Sequence, residues 1–168
     1  QHANGAVPTT APEYVVFEGL GMDAFAESPE WGCTFVVLPF MYYETYGDDS
    51  LIRKYYNGMR RYIDYMTTRA NDGIVSFGLG DWYDYGDFRA GFSRNTPVPL
   101  VATAHYYMVV RYLVEAARML DNRYDVAYYT HLGEEINKAF HREFYHKDTR
   151  QYGTGSQCSN ALPLFLGM

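Results

Sequence analysis

The 168-residue chain holds only two cysteines, two tryptophans and no run of basic residues. Cys33 and Cys158 lie far apart and match no metal or redox spacing. Their positions allow one long-range disulfide but favour two separate buried thiols. A nucleic-acid partner needs a clustered Lys/Arg footprint; at net charge −6 without one, that class is excluded. No apolar stretch approaches the roughly 20 residues of a spanning helix, so no membrane span is expected. P-loop, dinucleotide, zinc and nucleophile-elbow motifs are all missing. His105, His131, His141 and His146 show no ligand spacing, and His131 reads as a core histidine on an apolar face. With Gln1 first and no apolar signal region, the chain reads as a mature or internal piece of a longer protein.

What is present describes a folded domain. Hydrophobic residues make up 48% and charged residues 20%, enough apolar content for one domain's core and too much for a disordered chain. Aromatic residues reach 18%, with 18 tyrosines. Tyrosine joins apolar area to a hydroxyl, so most of these rings suit a core between helices and some suit a wet, ring-lined cleft.

Residues 1–30 show turn signals without sustained period and read as an irregular lead-in packed on the rest. Residues 33–46 form an apolar run ending at Gly47, expected as a buried helix with a kink or late start at Pro39. Asp48 or Asp49 can cap the next helix. There Leu51, Ile52, Tyr55, Tyr56, Met59, Tyr62, Ile63 and Met66 recur on one face. A third helix follows Asn95-Thr96-Pro97, with Val101, Ala104, Met108, Tyr112, Ala116 and Met119 inward. A fourth follows Asp121-Asn122, with Ala127, His131, Leu132, Ile136, Ala139, Phe140 and Phe144 inward. A fifth begins at Gln157. Apolar helices thus alternate with amphipathic ones, joined by long loops at one end, as in a layered set of helical hairpins. Nothing alternates with period two over a useful length, so the predicted class is all-α.

The segment 78–87 gathers three glycines, three aspartates and three aromatic rings, and it reads as a loop. Flat rings beside fixed carboxylates match a sugar, which offers an apolar face and many hydroxyls. Trp82 is expected to stack on a ring and Asp81 to bind hydroxyls, although a turn cap and an apolar plug would use the same residue types. Trp31, at a loop–helix junction, can pack as a staple or wall a pocket; its place at the equivalent end of the preceding hairpin makes it the second candidate wall. Glu30 with Asp81, or Asp84 with Asp87, are the acidic pairs available for general acid and base work, but spacing cannot set their separation.

Several segments, taken in order, resemble a known family. They are Asn4-Gly5-Ala6-Val7-Pro8, Ser28-Pro29-Glu30-Trp31-Gly32, Tyr46-Gly47-Asp48, Phe77-Gly78-Leu79-Gly80-Asp81-Trp82, Ala102-Thr103-Ala104 and Gly155-Ser156-Gln157. The set resembles the catalytic region of bacterial α-L-rhamnosidases of glycoside hydrolase family 78, over essentially the whole chain. The resemblance implies an (α/α)6 barrel of six helical hairpins, of which residues 1–168 would be about half. It also implies inverting removal of terminal α-L-rhamnose from a glycan or glycoside, no cofactor, and a periplasmic or extracellular setting. Trp31, Asp81 and Trp82 carry over as substrate-binding positions. Where family members usually have Asp after Trp-Gly, this chain has Cys33. The family's acid would precede residue 1 and its base would follow residue 168, so no catalytic residue is expected within the chain, and the piece alone is expected to be inactive. A partial ring would pair with the rest of its barrel or self-associate through exposed hairpins. The residues also fit a non-catalytic hairpin module that binds glycan or protein, or another (α/α)6 glycosidase.

Overall fold

The computed structural model describes residues 1–17, 19 and 21–168. Glu18 and Leu20 of the lead-in lie outside the described residues. A short 3-10 turn at Asp23–Phe25 precedes α1 (Pro29–Gly32) and α2 (Thr34–Tyr46). Then come α3 (Ser50–Arg69), α4 (Val98–Met119), α5 (Arg123–Phe144) and α6 (Gln157–Leu166).

The helix ends follow local chemistry. Gly47 closes α2 and Gly167 closes α6, each in the left-handed region at φ 69° and 66°. The Asp48 carboxylate accepts the Ser50 N–H at 2.8 Å before α3. Asn122 accepts the Asp125 N–H at 3.1 Å before α5, and Ser156 accepts the Ser159 N–H at 3.1 Å before α6. Helix α2 starts directly after Cys33 and continues through the buried Pro39, so the proline neither delays nor ends it.

The expected alternation holds. Apolar α2, α4 and α6 alternate with amphipathic α3 and α5. Helix α4 is central: it packs on α1, α2, α3, α5 and α6, and is buried on nearly every face from Leu100 to Ala117. The main core lies between α2, α3, α4 and α5, around Ile52, Met59, Tyr106 and Leu113. A second cluster joins Leu100, Val101 and Ala104 to Phe140, Phe144 and Leu166. At the two ends of the apolar row, Leu38 and Met41 of α2 and Leu164 and Phe165 of α6 face outward uncovered.

Three expectations need correction. Tyr55 is exposed, and the buried face of α3 runs instead through Ile52, Tyr56, Met59, Tyr62, Ile63 and Met66. On α5, Ala127 and His131 point outward, so His131 is not a core histidine. Ile136, Ala139, Phe140 and Phe144 are buried as expected, and the inward row continues through Gly133, Tyr129 and Asp125, because the bond from Tyr56 to Asp125 holds the first turn against α3. The long loops also carry two antiparallel ribbons. One pairs β1 (Asp84–Gly86) with β2 (Phe88–Gly91), and the other pairs β3 (Tyr145–His146) with β4 (Gln151–Tyr152). Strands this short hold too few residues to show a period.

Candidate functional site

The connections into α1, α4 and α6 meet at one end of the helices. The Thr96 and Ser156 hydroxyls are 2.7 Å apart, and the Thr154 hydroxyl donates to the Asn95 carbonyl. From the other side, the Leu79 N–H donates to Ser28 Oγ at 3.1 Å. Loops far apart in sequence thus build a single surface above the central helix.

The two tryptophans come together there. Phe25 sits between them, its ring centroid 6.0 Å from that of Trp31 and 5.1 Å from that of Trp82, both edge-on. Phe92 closes the group at 5.6 Å from Trp82 and 5.8 Å from Phe25. Trp31 is 36% exposed and Trp82 half-buried, so each indole is held by neighbours yet open to solvent. Phe25 and Phe92 are site residues that sequence reasoning missed; Phe25 lies in the lead-in and Phe92 beyond β2, with no spacing that links either to an indole.

Asp81 does not face this aromatic group. Its carboxylate accepts the Thr96 hydroxyl at 3.2 Å and lines an open hollow of about 590 Å³ with Asn95, Ser156, Gln157 and Cys158. That volume falls within the range of small-ligand clefts, and its walls carry donors and acceptors suited to hydroxyls. Asp81 and Trp82, adjacent in sequence, therefore serve two adjoining surfaces of the loop end.

Of the remaining acidic candidates, Asp87 is exposed at the turn between β1 and β2, whereas Asp84 and Glu30 are already occupied. Asp84 accepts the N–H groups of Tyr85 at 2.9 Å, Arg94 at 2.6 Å and Asn95 at 2.7 Å, and the Asn95 side-chain amide at 2.6 Å. These donors, the Asn95 and Arg94 amides foremost, hold its carboxyl below the usual aspartate range and keep it ionised. It fastens the β1–β2 ribbon to the start of α4. Glu30 accepts the Gly80 N–H at 3.0 Å and the Leu79 N–H at 3.3 Å, and also the Ser28 hydroxyl. Glu27 accepts the Tyr65 hydroxyl and lies 3.6 Å from Arg69, which ties the segment bearing Phe25 to the last turn of α3. Cys33 faces the core at 8% exposure, and its thiol donates to the Glu30 carbonyl at 3.2 Å. The two cysteines are unpaired, as expected, but of the two only Cys33 is buried and Cys158 is half-exposed. Among the described residues, no group of three or more His, Cys, Asp or Glu gathers as a metal site, and no helix is long and apolar enough to cross a membrane.

An apolar helix row backed by amphipathic helices, with aromatic and acidic loops at one end, defines a helical-hairpin domain of the (α/α)6 type. The chain belongs to the bacterial alpha-L-rhamnosidase 6 hairpin glycosidase domain family, whose profile matches residues 1–168. An alpha-L-rhamnosidase of Formosa agariphila is 28% identical over 148 residues, which cover 83% of this chain and 15% of that protein. Another from Alteromonas sp. is 27% identical over 125 residues, 72% of this chain and 14% of that one. The solved alpha-L-rhamnosidase from Dictyoglumus thermophilum superposes with a TM-score of 0.84 at 26% identity, over 99% of this chain and 18% of that chain. The Streptomyces avermitilis alpha-L-rhamnosidase complexed with L-rhamnose shares the fold, with a TM-score of 0.83 at 24% identity over 99% of this chain and 15% of that chain. The chain therefore spans less than a fifth of the length of these relatives.

Proposed function

We propose that the protein carrying this chain is an inverting α-L-rhamnosidase and that these residues are a substrate-lining section of its barrel. Trp31 and Trp82 form the apolar floor on which a deoxyhexose rests, and Asp81 binds hydroxyls from the adjoining hollow. The observation that carries this reading is the convergence of both indoles on Phe25 at the loop end. A methyl-bearing sugar offers one face of C–H groups, and exposed indoles held by their neighbours match it at little entropic cost.

The reacting acid and base come from elsewhere in the protein. A general acid needs a raised pKa and a proton to give, whereas Asp84 is stabilised as the anion. Glu30 spends both oxygens on hydrogen bonds inside the fold. In this reading residues 1–168 form about half of the barrel: α2/α3 and α4/α5 are two hairpins, and α6 opens a third. The uncovered side chains Leu38, Met41, Leu164 and Phe165 are where the other hairpins, or a second copy, pack.

The test is hydrolysis of an aryl α-L-rhamnoside by the full-length protein, followed by NMR of the newly formed sugar. Release of rhamnose with inverted anomeric configuration is expected, together with no release by residues 1–168 alone. A full-length protein that binds rhamnosides without cleaving them would overturn the reading in favour of a binding module.

A further inference from the structure

We infer that Glu30 is a positioning residue that clamps the loop bearing Asp81 and Trp82 to the helix start bearing Trp31. Its part in sugar binding rests on the function proposed above; the clamp itself does not.

Glu30 directly precedes Trp31, and its two carboxylate oxygens are divided between successive amides of the other loop. Oε1 accepts the Gly80 N–H at 3.0 Å, while Oε2 accepts the Leu79 N–H at 3.3 Å. The Ser28 hydroxyl completes the set, donating to Oε2 while its oxygen accepts the same Leu79 N–H at 3.1 Å. Ser28 and Leu79 are fully buried, so these amides have no water to replace the carboxylate if it is lost. Gly80 is followed at once by Asp81 and Trp82. Two peptide links therefore separate the clamp from one indole on one side, and a single peptide link separates it from the other indole on the other.

The loop is shaped for this contact. Gly78 holds φ +117°, and a Cβ there would lie 2.6 Å from Glu30 Oε2. Only glycine lets the backbone turn its amides toward the carboxylate at such close range. Phe25 then meets both indoles without linking them covalently or by hydrogen bond, so the aromatic group by itself leaves their spacing soft. The carboxylate supplies the directional restraint that ring contacts lack.

A clamp and an acid/base catalyst respond differently to substitution. Glutamine keeps one acceptor for Gly80, and its NH2 can donate to Ser28 Oγ, so most of a clamp survives. Glutamine cannot take or give the proton of a catalytic carboxyl. In the full-length protein, Glu30→Ala is expected to speed hydrogen exchange of the peptide covering 77–82 by about tenfold, with peptides of α3 and α4 unchanged. KM for an aryl α-L-rhamnoside rises by about tenfold, kcat stays within about threefold, and both limbs of the pH profile remain. Glu30→Gln returns KM to within about threefold of the native value. If the alanine variant does not fold, Glu30→Gln and Ser28→Ala carry the test, each speeding exchange of 77–82 by about threefold. Unchanged exchange at 77–82 in the variants that fold overturns the clamp. So does a fall in kcat of about 10²-fold or more in Glu30→Gln with loss of one pH limb. A native protein inactive on rhamnosides overturns the proposed function instead, and the exchange measurement still decides on Glu30.

Discussion

Tyr56 of α3 donates its hydroxyl to the Asp125 carboxylate in the first turn of α5, at 2.6 Å. Arg60 Nε lies 3.2 Å from the same oxygen, and the Asn122 side-chain amide donates to it at 2.9 Å. Asp125 is 2% exposed, so one buried carboxylate joins two outer helices whose apolar faces pack on α4. The Tyr56 phenol is pushed up, first by burial and then by the bond to Asp125, which keeps it a donor at all ordinary pH. Removing the carboxylate strands two hydrogen-bond donors, Tyr56 and Asn122, and the paired charge of Arg60. Asp125→Ala should cost about 3–5 kcal/mol of unfolding free energy, and Tyr56→Phe about 1.5–3 kcal/mol. Urea unfolding read by circular dichroism measures both. A Tyr56→Phe loss equal to that of Asp125→Ala would mean that Arg60 and Asn122 contribute nothing.

The indole floor predicts a graded loss of affinity. Trp82→Ala removes a ring held by Phe25, Phe92 and Tyr83, and should raise KM on an aryl rhamnoside about tenfold or more in the full-length protein. Trp82→Phe keeps an aromatic face and should lie between the two. Trp31→Ala, at a more open ring, should act in the same direction. Steady-state kinetics on all three decides it, and unchanged kinetics in both alanine variants would remove the floor.

Acid should loosen the β1–β2 ribbon before the helices. The Asp84 carboxyl is held low by the Asn95 and Arg94 amides, so its contribution is fully present above the unfolded value of about 3.9. It is lost as pH falls below that, through the folded value. Hydrogen exchange of the peptide covering 84–96, followed from pH 6 downward and corrected for intrinsic rates, should show extra opening only below about pH 4. Asp84→Asn should open the same peptide at every pH and abolish the step.

The thiols should be inert in the folded chain. Burial, with the Glu30 charge adding to it, pushes Cys33 up to about 12. Burial and the Asp81 charge push Cys158 up to about 11. Almost no thiolate exists at pH 8, so iodoacetamide should label neither until denaturant is added, with half-buried Cys158 the first to react. Mass spectrometry of the folded and unfolded protein reads this directly.

Most of the helices were legible because each repeats a simple rule along the chain. The apolar recurrence from Ile52 to Met66, the stop at Gly47 and the cap at Asn122 act within a few residues of themselves. On α5 the rule misled, because alanine and histidine at 127 and 131 pass for inward residues. The first half of the buried row is instead Asp125 and Tyr129, polar by type, while Ile136, Ala139, Phe140 and Phe144 follow the rule. A buried carboxylate is recognisable only once its donors are known, and Tyr56 lies 69 residues away.

The residue types at the loop end marked Trp31, Asp81 and Trp82 as one candidate group, and the alternation of apolar and amphipathic helices marked the fold class. Both are written in local order, where side-chain chemistry and helical period act over one or two turns. Long-range closure settled the rest: that Phe25 stands between the indoles, that Asp81 turns to a hollow shared with Ser156, and that Glu30 and Asp84 hold loops. Those outcomes depend on which distant amide arrives within about 3 Å of which oxygen, and only the packed helices set that distance.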